Sequence, residues 1–132
     1  MRLRYALVAD YANVTGDGKP NVVGITDRLY AYQFPALHRE LYVVNGIETD
    51  NDDEGTTQEI VVTVIDPDGR SLAEIRGSLE INGPKQTLHQ LHCIRDLTFA
   101  APGNYQVNIH YNGQQVAEYG IELVQLAQPE SA

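Results

Sequence analysis

The segment from Phe99 to Val124 constrains the fold more than any other, because it carries two alternating strands joined by a tight turn. Apolar side chains occupy every second position of the first strand, at Tyr105, Val107, Ile109 and Tyr111. The same alternation marks the return strand, at Ala117, Tyr119, Ile121 and Leu123. Asn112-Gly113 lies between them, and both residues tolerate the positive φ that a two-residue hairpin turn requires. The segment therefore predicts a β-hairpin, and with it an all-β protein.

Turn signals divide the rest of the chain into further strands at regular spacing. Asp66-Pro67-Asp68-Gly69 separates the apolar run Ile60–Ile65 from the alternating stretch Leu72–Ile81, which predicts a second hairpin. No segment has convincing helical periodicity. About seven to nine strands with turns between them predict a two-sheet antiparallel β-sandwich.

The first third of the chain is less regular. The strand Leu3–Val14 has apolar residues on both faces, so both are expected to be partly covered. Strand is also favoured from residue 21 to residue 34, with a bulge, or a bend between two short strands, near Asp27-Arg28. The expected inward residues of this stretch are Val23, Ile25 and Leu29.

Two connections follow. Pro35–Glu40 is expected to be a connector that holds one helical turn, before a strand at Leu41–Glu48. Thr49–Thr57 is polar and is expected to be a mobile loop.

The 132 residues fit a single domain, which we place at residues 1–126, with a frayed tail at 127–132. No apolar run is long enough for a transmembrane helix. The first residues include two arginines but lead into no apolar segment of a signal peptide, so no export signal is expected. The single cysteine, Cys93, cannot form an intramolecular disulfide and is interpreted as a small buried apolar side chain. These features predict a cytoplasmic protein.

The net charge of −9, from 18 acidic and 9 basic side chains, argues against two classes of partner. Nucleic acids and anionic membranes are both bound by basic surfaces, and the sequence contains no basic stripe. We therefore expect neither nucleic-acid binding nor membrane binding, and attribute the acidity to solubility.

No catalytic motif is found in the sequence. The serines, Ser71, Ser78 and Ser131, lie outside any Gly-x-Ser-x-Gly elbow. The stretch Gly16–Lys19 lacks the spacing of a phosphate-binding loop and leads into a strand rather than a helix. The sequence therefore predicts no catalytic residue and no cofactor, and hence a protein that is not an enzyme.

Two groups of side chains resemble parts of metal sites. His89 and His92 lie beside Cys93, but residues three apart on a strand point to opposite faces, which disfavours zinc. The acidic loop Asp50–Glu54 and Asp66 are typical of a calcium site, yet they flank one strand and would lie roughly 20 Å apart. We therefore predict no metal ligand, and a calcium-binding C2-like domain is only a third alternative.

Tyrosines are abundant, with eight in the chain. Tyr30, Tyr32 and Phe34 recur on one face of the second stretch and are the candidate interface residues. An exposed aromatic row can bind a protein partner, including a second copy in a homodimer, or a sugar. The alternative is that these rings fill the core and its rim.

Two parts of the sequence carry a resemblance. The stretch from Phe99 to Val107 resembles the end of an immunoglobulin-like domain, where a tyrosine near the start of the penultimate strand packs at a corner. The resemblance gives Tyr105 that role, with Pro102 and Gly103 in the same corner. The cysteine and tryptophan of antibody domains are missing.

The stretches from Ala9 to Val14 and from Gly18 to Leu29 are similar to an uncharacterised family of small bacterial proteins, a domain of unknown function. Phe34-Pro35 and the Pro102-Gly103-x-Tyr105 turn extend the likeness over most of the chain. It implies a bacterial source and no activity.

From these observations we expect an immunoglobulin-like sandwich that acts as a non-enzymatic protein-interaction or structural module. The second alternative is a small-ligand or carbohydrate-binding sandwich that uses exposed tyrosines.

Overall fold

A computed structural model describes residues 1–128 of the chain. The described part contains nine β-strands and a 3-10 turn at Asn51–Asp53. The strands are β1 (Arg2–Val14), β2 (Pro20–Ile25), β3 (Arg28–Ala31), β4 (Ala36–Glu48), β5 (Thr57–Ile65), β6 (Ser71–Glu80), β7 (Thr87–Phe99), β8 (Gly103–Tyr111) and β9 (Gln114–Gln125).

These strands form two sheets that pack on a common core. The four-stranded sheet has the order β2-β1-β4-β7, and the five-stranded sheet has the order β3-β9-β8-β5-β6. Buried aliphatic and aromatic side chains of both sheets meet between them, and the rings of Phe99 and Tyr105 pack edge-on with centroids 4.9 Å apart. Removal of this apolar surface from water stabilises the fold. The prediction of an all-β protein with two sheets is therefore confirmed.

Both predicted hairpins are present. β8 and β9 pair antiparallel around Asn112-Gly113, whose φ angles are 50° and 82°. β5 and β6 pair antiparallel around the turn that begins at Asp66. The Asp66 carboxylate accepts hydrogen bonds from the backbone N–H groups of Asp68 and Arg70, at 2.9 and 2.8 Å. Such local bonds explain why the residues of the turn are sufficient to predict it.

The predicted antiparallel pairing is found in all but one of the strand pairs within residues 1–128. β3 pairs with β9 in the parallel direction, which places Leu29 opposite Leu123. Tight hairpin turns produce antiparallel pairs, but β3 and β9 are distant in sequence and are not joined by one.

The connector predicted at Pro35–Glu40 is wrong. β4 begins at Ala36 and pairs with β7 from there to Glu48. The strand forms because β7, which comes much later in the chain, supplies its hydrogen-bond partners. The polar connection between β4 and β5 contains the 3-10 turn.

The expected inward residues of the second stretch are only partly correct. Leu29 is buried, but Val23 and Ile25 are 55% and 61% exposed. β2 ends at Ile25 and β3 begins at Arg28, so the predicted bend carries the chain from one sheet to the other. Alternation shows which residues share a face, but it does not show which face points inward.

The end of the chain is described as far as residue 128. Residues 126–128 follow β9 without regular structure. Residues 129–132 of the predicted tail, and Ser131 with them, lie outside the described residues.

Candidate interaction surface

The two sheets present very different outward faces. On the five-stranded sheet the outward positions are largely polar. Cross-strand partners there are Thr63 and Glu74, Asn108 and Glu118, and Asn104 and Glu122. This is the usual pattern for an antiparallel sheet with one face in water.

On the four-stranded sheet the outward face is apolar instead. Its centre is covered by three rows of cross-strand partners, which we call the apolar face. The rows are Leu7–Val44–Leu91, Ile25–Ala9–Tyr42–Cys93 and Val23–Tyr11.

The burial pattern shows that this face points away from the core. Val44 and Ala9 have no exposed surface, yet neither belongs to the core cluster between the sheets. Their chain neighbours Val43 and Val8 do belong to it. Because adjacent residues of a strand point to opposite sides, Val44 is covered by its neighbours on the outward side of the sheet.

The margin of the apolar face is open to solvent. Tyr11, Val23 and Ile25 are 45%, 55% and 61% exposed, and all three lie on the β1–β2 side of the sheet. Contiguous exposed patches of large apolar side chains are rare on monomeric proteins and usually mark binding surfaces. The apolar face is therefore the strongest candidate for a functional site.

Aromatic side chains give the apolar face a defined shape. The rings of Tyr11 and Tyr42 pack edge-on with centroids 5.4 Å apart. Beyond the Leu7–Val44–Leu91 row, Tyr5 lies over its cross-strand partner Gly46, at the place where any Cβ would stand. Packed rings lose little conformational entropy when a partner binds, which favours aromatic residues in interfaces.

Tyr5 is also held by a hydrogen bond across the sheet. Its hydroxyl lies 2.7 Å from Nδ1 of His89 on β7. Burial raises the pKa of the Tyr5 hydroxyl above its usual value. The phenol therefore stays protonated near neutral pH and remains available as a donor to the imidazole.

Cys93 lies on the apolar face rather than in the core, and it is half-buried. Tyr42 is its cross-strand partner, and interaction with the Cys93 side chain, followed by burial, raises the pKa of Tyr42. The thiol thus sits among aromatic and aliphatic neighbours on the outside of the sheet.

Charged side chains lie at both ends of the apolar face and are paired within the chain. Arg2 Nε is 2.7 Å from the Glu48 carboxylate, and Arg4 is 3.6 Å from the same group. At the opposite end, Arg95 is 3.8 Å from Glu40. The hydrogen bond from Arg2 holds the pKa of Glu48 below its usual value. An apolar centre with a polar rim is the usual anatomy of a protein interface.

The aromatic residues predicted as a possible interface lie away from the apolar face. Tyr30 and Tyr32 are 58% and 49% exposed, at the β3 edge of the five-stranded sheet. Phe34 is half-buried and packs against the core. The three rings do not share one strand face, because β3 ends at Ala31.

Tyr105 and its neighbours form a corner at the start of β8. The Tyr105 side chain is 2% exposed, and its hydroxyl donates a hydrogen bond of 2.7 Å to the carbonyl oxygen of Ala101. Gly103 has φ of 146°, and a side chain there would contact Pro67 of the neighbouring hairpin. The corner joins two turns and takes no part in the apolar face.

A small polar group lies on the inner side of the four-stranded sheet. Asn45 is fully buried and accepts a hydrogen bond of 3.2 Å from the Tyr111 hydroxyl. Asn45 Nδ2, Gln90 Oε1 and His92 Nε2 find no hydrogen-bond partner among residues 1–128. Burial lowers the pKa of His92 and raises that of Tyr111. These groups face the core, so they affect stability rather than surface binding.

The side chains considered as metal ligands are not brought together. His89 and Cys93 lie on the outward side of β7 and His92 on its inward side. Asp53 accepts a hydrogen bond from the Asp50 backbone, which lowers the pKa of Asp53. Within residues 1–128, no three His, Cys, Asp or Glu side chains form a group that could hold a metal ion.

Two open depressions lie on the five-stranded sheet, with volumes of about 200 and 300 Å³. The first is lined mainly by polar residues of β5 and β6, including Glu59 and Arg76. The second lies between β3, β8 and β9, beside Arg28 and Glu122. Neither is lined by Tyr30 or Tyr32.

The apolar face was not predicted as a site. The sequence does signal it, because apolar residues occur on both faces of two strands. Leu7 and Val8 are adjacent in β1, and Val43 and Val44 are adjacent in β4. A strand in contact with one core alternates, so a strand without alternation needs a second covering surface.

No helix within the described residues is long and apolar enough to cross a membrane.

Comparison with solved structures supports the fold. The structure of the Pseudomonas fluorescens alkylpurine DNA glycosylase AlkC, bound to DNA containing an abasic site analog, is similar to this chain with a TM-score of 0.52 and 14% sequence identity. The similarity covers 93% of this chain but only 30% of the glycosylase chain. At this identity the likeness concerns the fold alone.

Comparison of sequences identifies the family. No curated protein matches the chain. A family model does match, over residues 4–124, and the chain therefore belongs to the family of unknown function DUF6941.

Proposed function

We propose that this protein is a non-enzymatic protein-interaction module that binds its partner through the apolar face. The observation that carries the proposal is the contrast between the two sheets, since only the four-stranded sheet has an apolar outward side. Exposure of Tyr11, Val23 and Ile25 to water costs free energy that a bound partner would recover.

We further propose that the sandwich is of the immunoglobulin-like class. The strand orders support this proposal. β4 and β7 are neighbours in one sheet, as strands B and E are in that class, and β9, β8 and β5 are neighbours in the other, as strands G, F and C are. The Tyr105 hydrogen bond to Ala101, at the start of the penultimate strand, supports the assignment because that class has a tyrosine corner there.

DNA binding, as in the glycosylase structure, is disfavoured for this chain. Its net charge of −9 repels a polyanion, and its basic residues at the apolar face are paired with Glu48 and Glu40. A carbohydrate-binding role has less support than protein binding, because the exposed tyrosines line neither depression.

We place the protein in a bacterial cytoplasm. The single half-buried cysteine suits a reducing compartment, and the resemblance of the sequence to small bacterial proteins supports the source.

The proposal is tested by photo-crosslinking in the native host. A photoreactive amino acid is placed at Ile25 on the apolar face, at Tyr30 on the β3 edge, or at Glu118 on the polar sheet. Irradiation is expected to give a discrete protein adduct from position 25 and none from position 118. An adduct from position 30 alone would move the interface to the β3 edge, and equal adducts from 25 and 118 would contradict the proposal.

A further inference from the structure

We propose that the partner of the apolar face is a second copy of this chain, so that two four-stranded sheets stack face to face about a two-fold axis. This inference rests on the proposed function and names the partner. It is carried by the dimensions of the face, by the balance of its charges and by its regular geometry.

The four-stranded sheet has the size that a dimer interface needs. β1, β4 and β7 are each 13 residues long. β2 has 6 residues, so the four strands together contain 45. With a rise of about 3.3 Å per residue and a strand spacing of about 4.8 Å, the outward side of the sheet measures roughly 700 Å². A standard protein–protein interface buries about 800 Å² on each partner. One such side, with its apolar centre and polar rim, therefore matches half of a stable dimer.

The charges at the rim favour a copy over a charged partner. Arg2, Arg4 and Glu48 at one end, with Arg95 and Glu40 at the other, leave this side with a small positive balance, while the whole chain carries −9. Two copies that meet here bring together the least acidic parts of the molecule, which avoids the repulsion between their other surfaces. A partner recognised by charge would require unpaired charges at the rim, and these arginines are already paired within the chain.

The geometry of the sheet also suits an isologous contact. In such a contact the same patch is used by both subunits, so the patch must complement itself. Extended sheets do this readily, because two of them pack at about 10 Å with their strand directions aligned within about 30°. In that arrangement the side chains of Leu7 and Leu91 flank Val44 in the middle of the contact.

The test is the molar mass of the full chain, measured by size-exclusion chromatography with light scattering over a wide range of protein concentrations. The wild type is expected to be a dimer. Ile25→Glu places a charge on the apolar face at a position that is 61% exposed, so it leaves the isolated subunit folded. It is expected to weaken self-association by about tenfold or more, because the charge would be buried without a partner.

Tyr30→Glu is the matched control. Tyr30 is 58% exposed, close to the exposure of Ile25, but it lies on the other sheet. This variant is expected to remain a dimer. The inference is overturned if the wild type is a monomer at all concentrations, or if Tyr30→Glu dissociates the dimer and Ile25→Glu does not.

Cys93 gives a second readout that is independent of mass. Because it is the single cysteine and lies on the apolar face, a bulky thiol reagent should label it several-fold more slowly in the dimer than in Ile25→Glu. Equal rates at a concentration where the wild type is dimeric would show that the contact lies elsewhere.

The crosslinking experiment separates this inference from the proposed function. An adduct from position 25 with the mass of two copies supports both. An adduct of another mass, with a monomeric wild type, supports the proposed function and overturns the homodimer. No adduct from position 25, with a monomeric wild type, overturns both.

Discussion

At the scale of single residues, the Tyr105 hydroxyl ties the start of β8 to the turn before it. The side chain is almost fully buried, and its bond to the Ala101 carbonyl is 2.7 Å long. Tyr105→Phe removes the hydroxyl donor, so the Ala101 carbonyl oxygen loses this hydrogen bond. The free energy of unfolding is expected to fall by about 1 kcal/mol, measured by denaturant titration. Tyr30→Phe, at an exposed position, should leave it unchanged, and an unchanged value for Tyr105→Phe would contradict the role of the hydroxyl.

His92 makes stability depend on pH. Burial lowers its pKa in the folded state, while in the unfolded state the pKa is about 6.5. As the pH falls, the unfolded chain therefore binds the proton before the folded chain does. The contribution of His92 to the free energy of unfolding is fully present above about pH 6.5 and is lost as the pH falls toward the folded pKa.

The corresponding variant is His92→Gln, which cannot be protonated. Its free energy of unfolding is expected to fall less than that of the wild type between about pH 7 and pH 5, measured by denaturant titration at each pH. A comparison at about pH 8, where both side chains are neutral, gives the effect of the substitution itself. If the free energy of unfolding changes equally with pH in the two proteins, His92 does not contribute to the pH dependence.

At the scale of elements, the pairing of β1 with β4 depends on the absence of a side chain at Gly46. A Cβ at that position would collide with the Tyr5 ring. Gly46→Ala is expected to lower the free energy of unfolding by about 1–3 kcal/mol, because the ring must leave its place and its bond to His89.

A double-mutant cycle checks this prediction. In a Tyr5→Ala background the ring is gone, so Gly46→Ala should cost much less than in the wild type. If the two substitutions are additive, the cost of the alanine arises from the backbone of β4 and not from the collision with Tyr5.

The elements that could be predicted from sequence are those whose cause is local. The β8–β9 hairpin follows from Asn112-Gly113, and the β5–β6 hairpin follows from the Asp66 turn. The start of β4 and the parallel position of β3 depend on β7 and β9, which lie far away in the chain. Turn residues and alternation carry no information about such partners.

At the scale of the whole molecule, self-association couples stability to concentration. A dimer that forms only from folded chains raises the melting temperature as the protein concentration rises. The wild type is expected to show this increase, and Ile25→Glu is expected to show it only at concentrations about tenfold higher or more. Differential scanning fluorimetry over a dilution series measures both. An increase of equal size in the variant would place the association outside the apolar face.

The candidate site also depends on the assembled molecule, which is why sequence alone did not reveal it. Leu7, Val44 and Leu91 become neighbours only when β1, β4 and β7 pair. Apolar residues on both faces of β1 did predict a second covered side, but not which strands complete it. In the predicted aromatic row, Tyr30 and Tyr32 are exposed, whereas Phe34 packs against the core after the end of β3.

The parallel pair of β3 and β9 has a consequence for the order of events during synthesis. Leu29 and its strand leave the ribosome early. Within residues 1–128, their only hydrogen-bonded neighbour in the sheet is β9, the last of the nine strands to be made. The growing chain must therefore carry β3 unpaired until β9 emerges. Completion of the five-stranded sheet is then a late step, and shortening the chain before Gln125 would release β3 as well as β9.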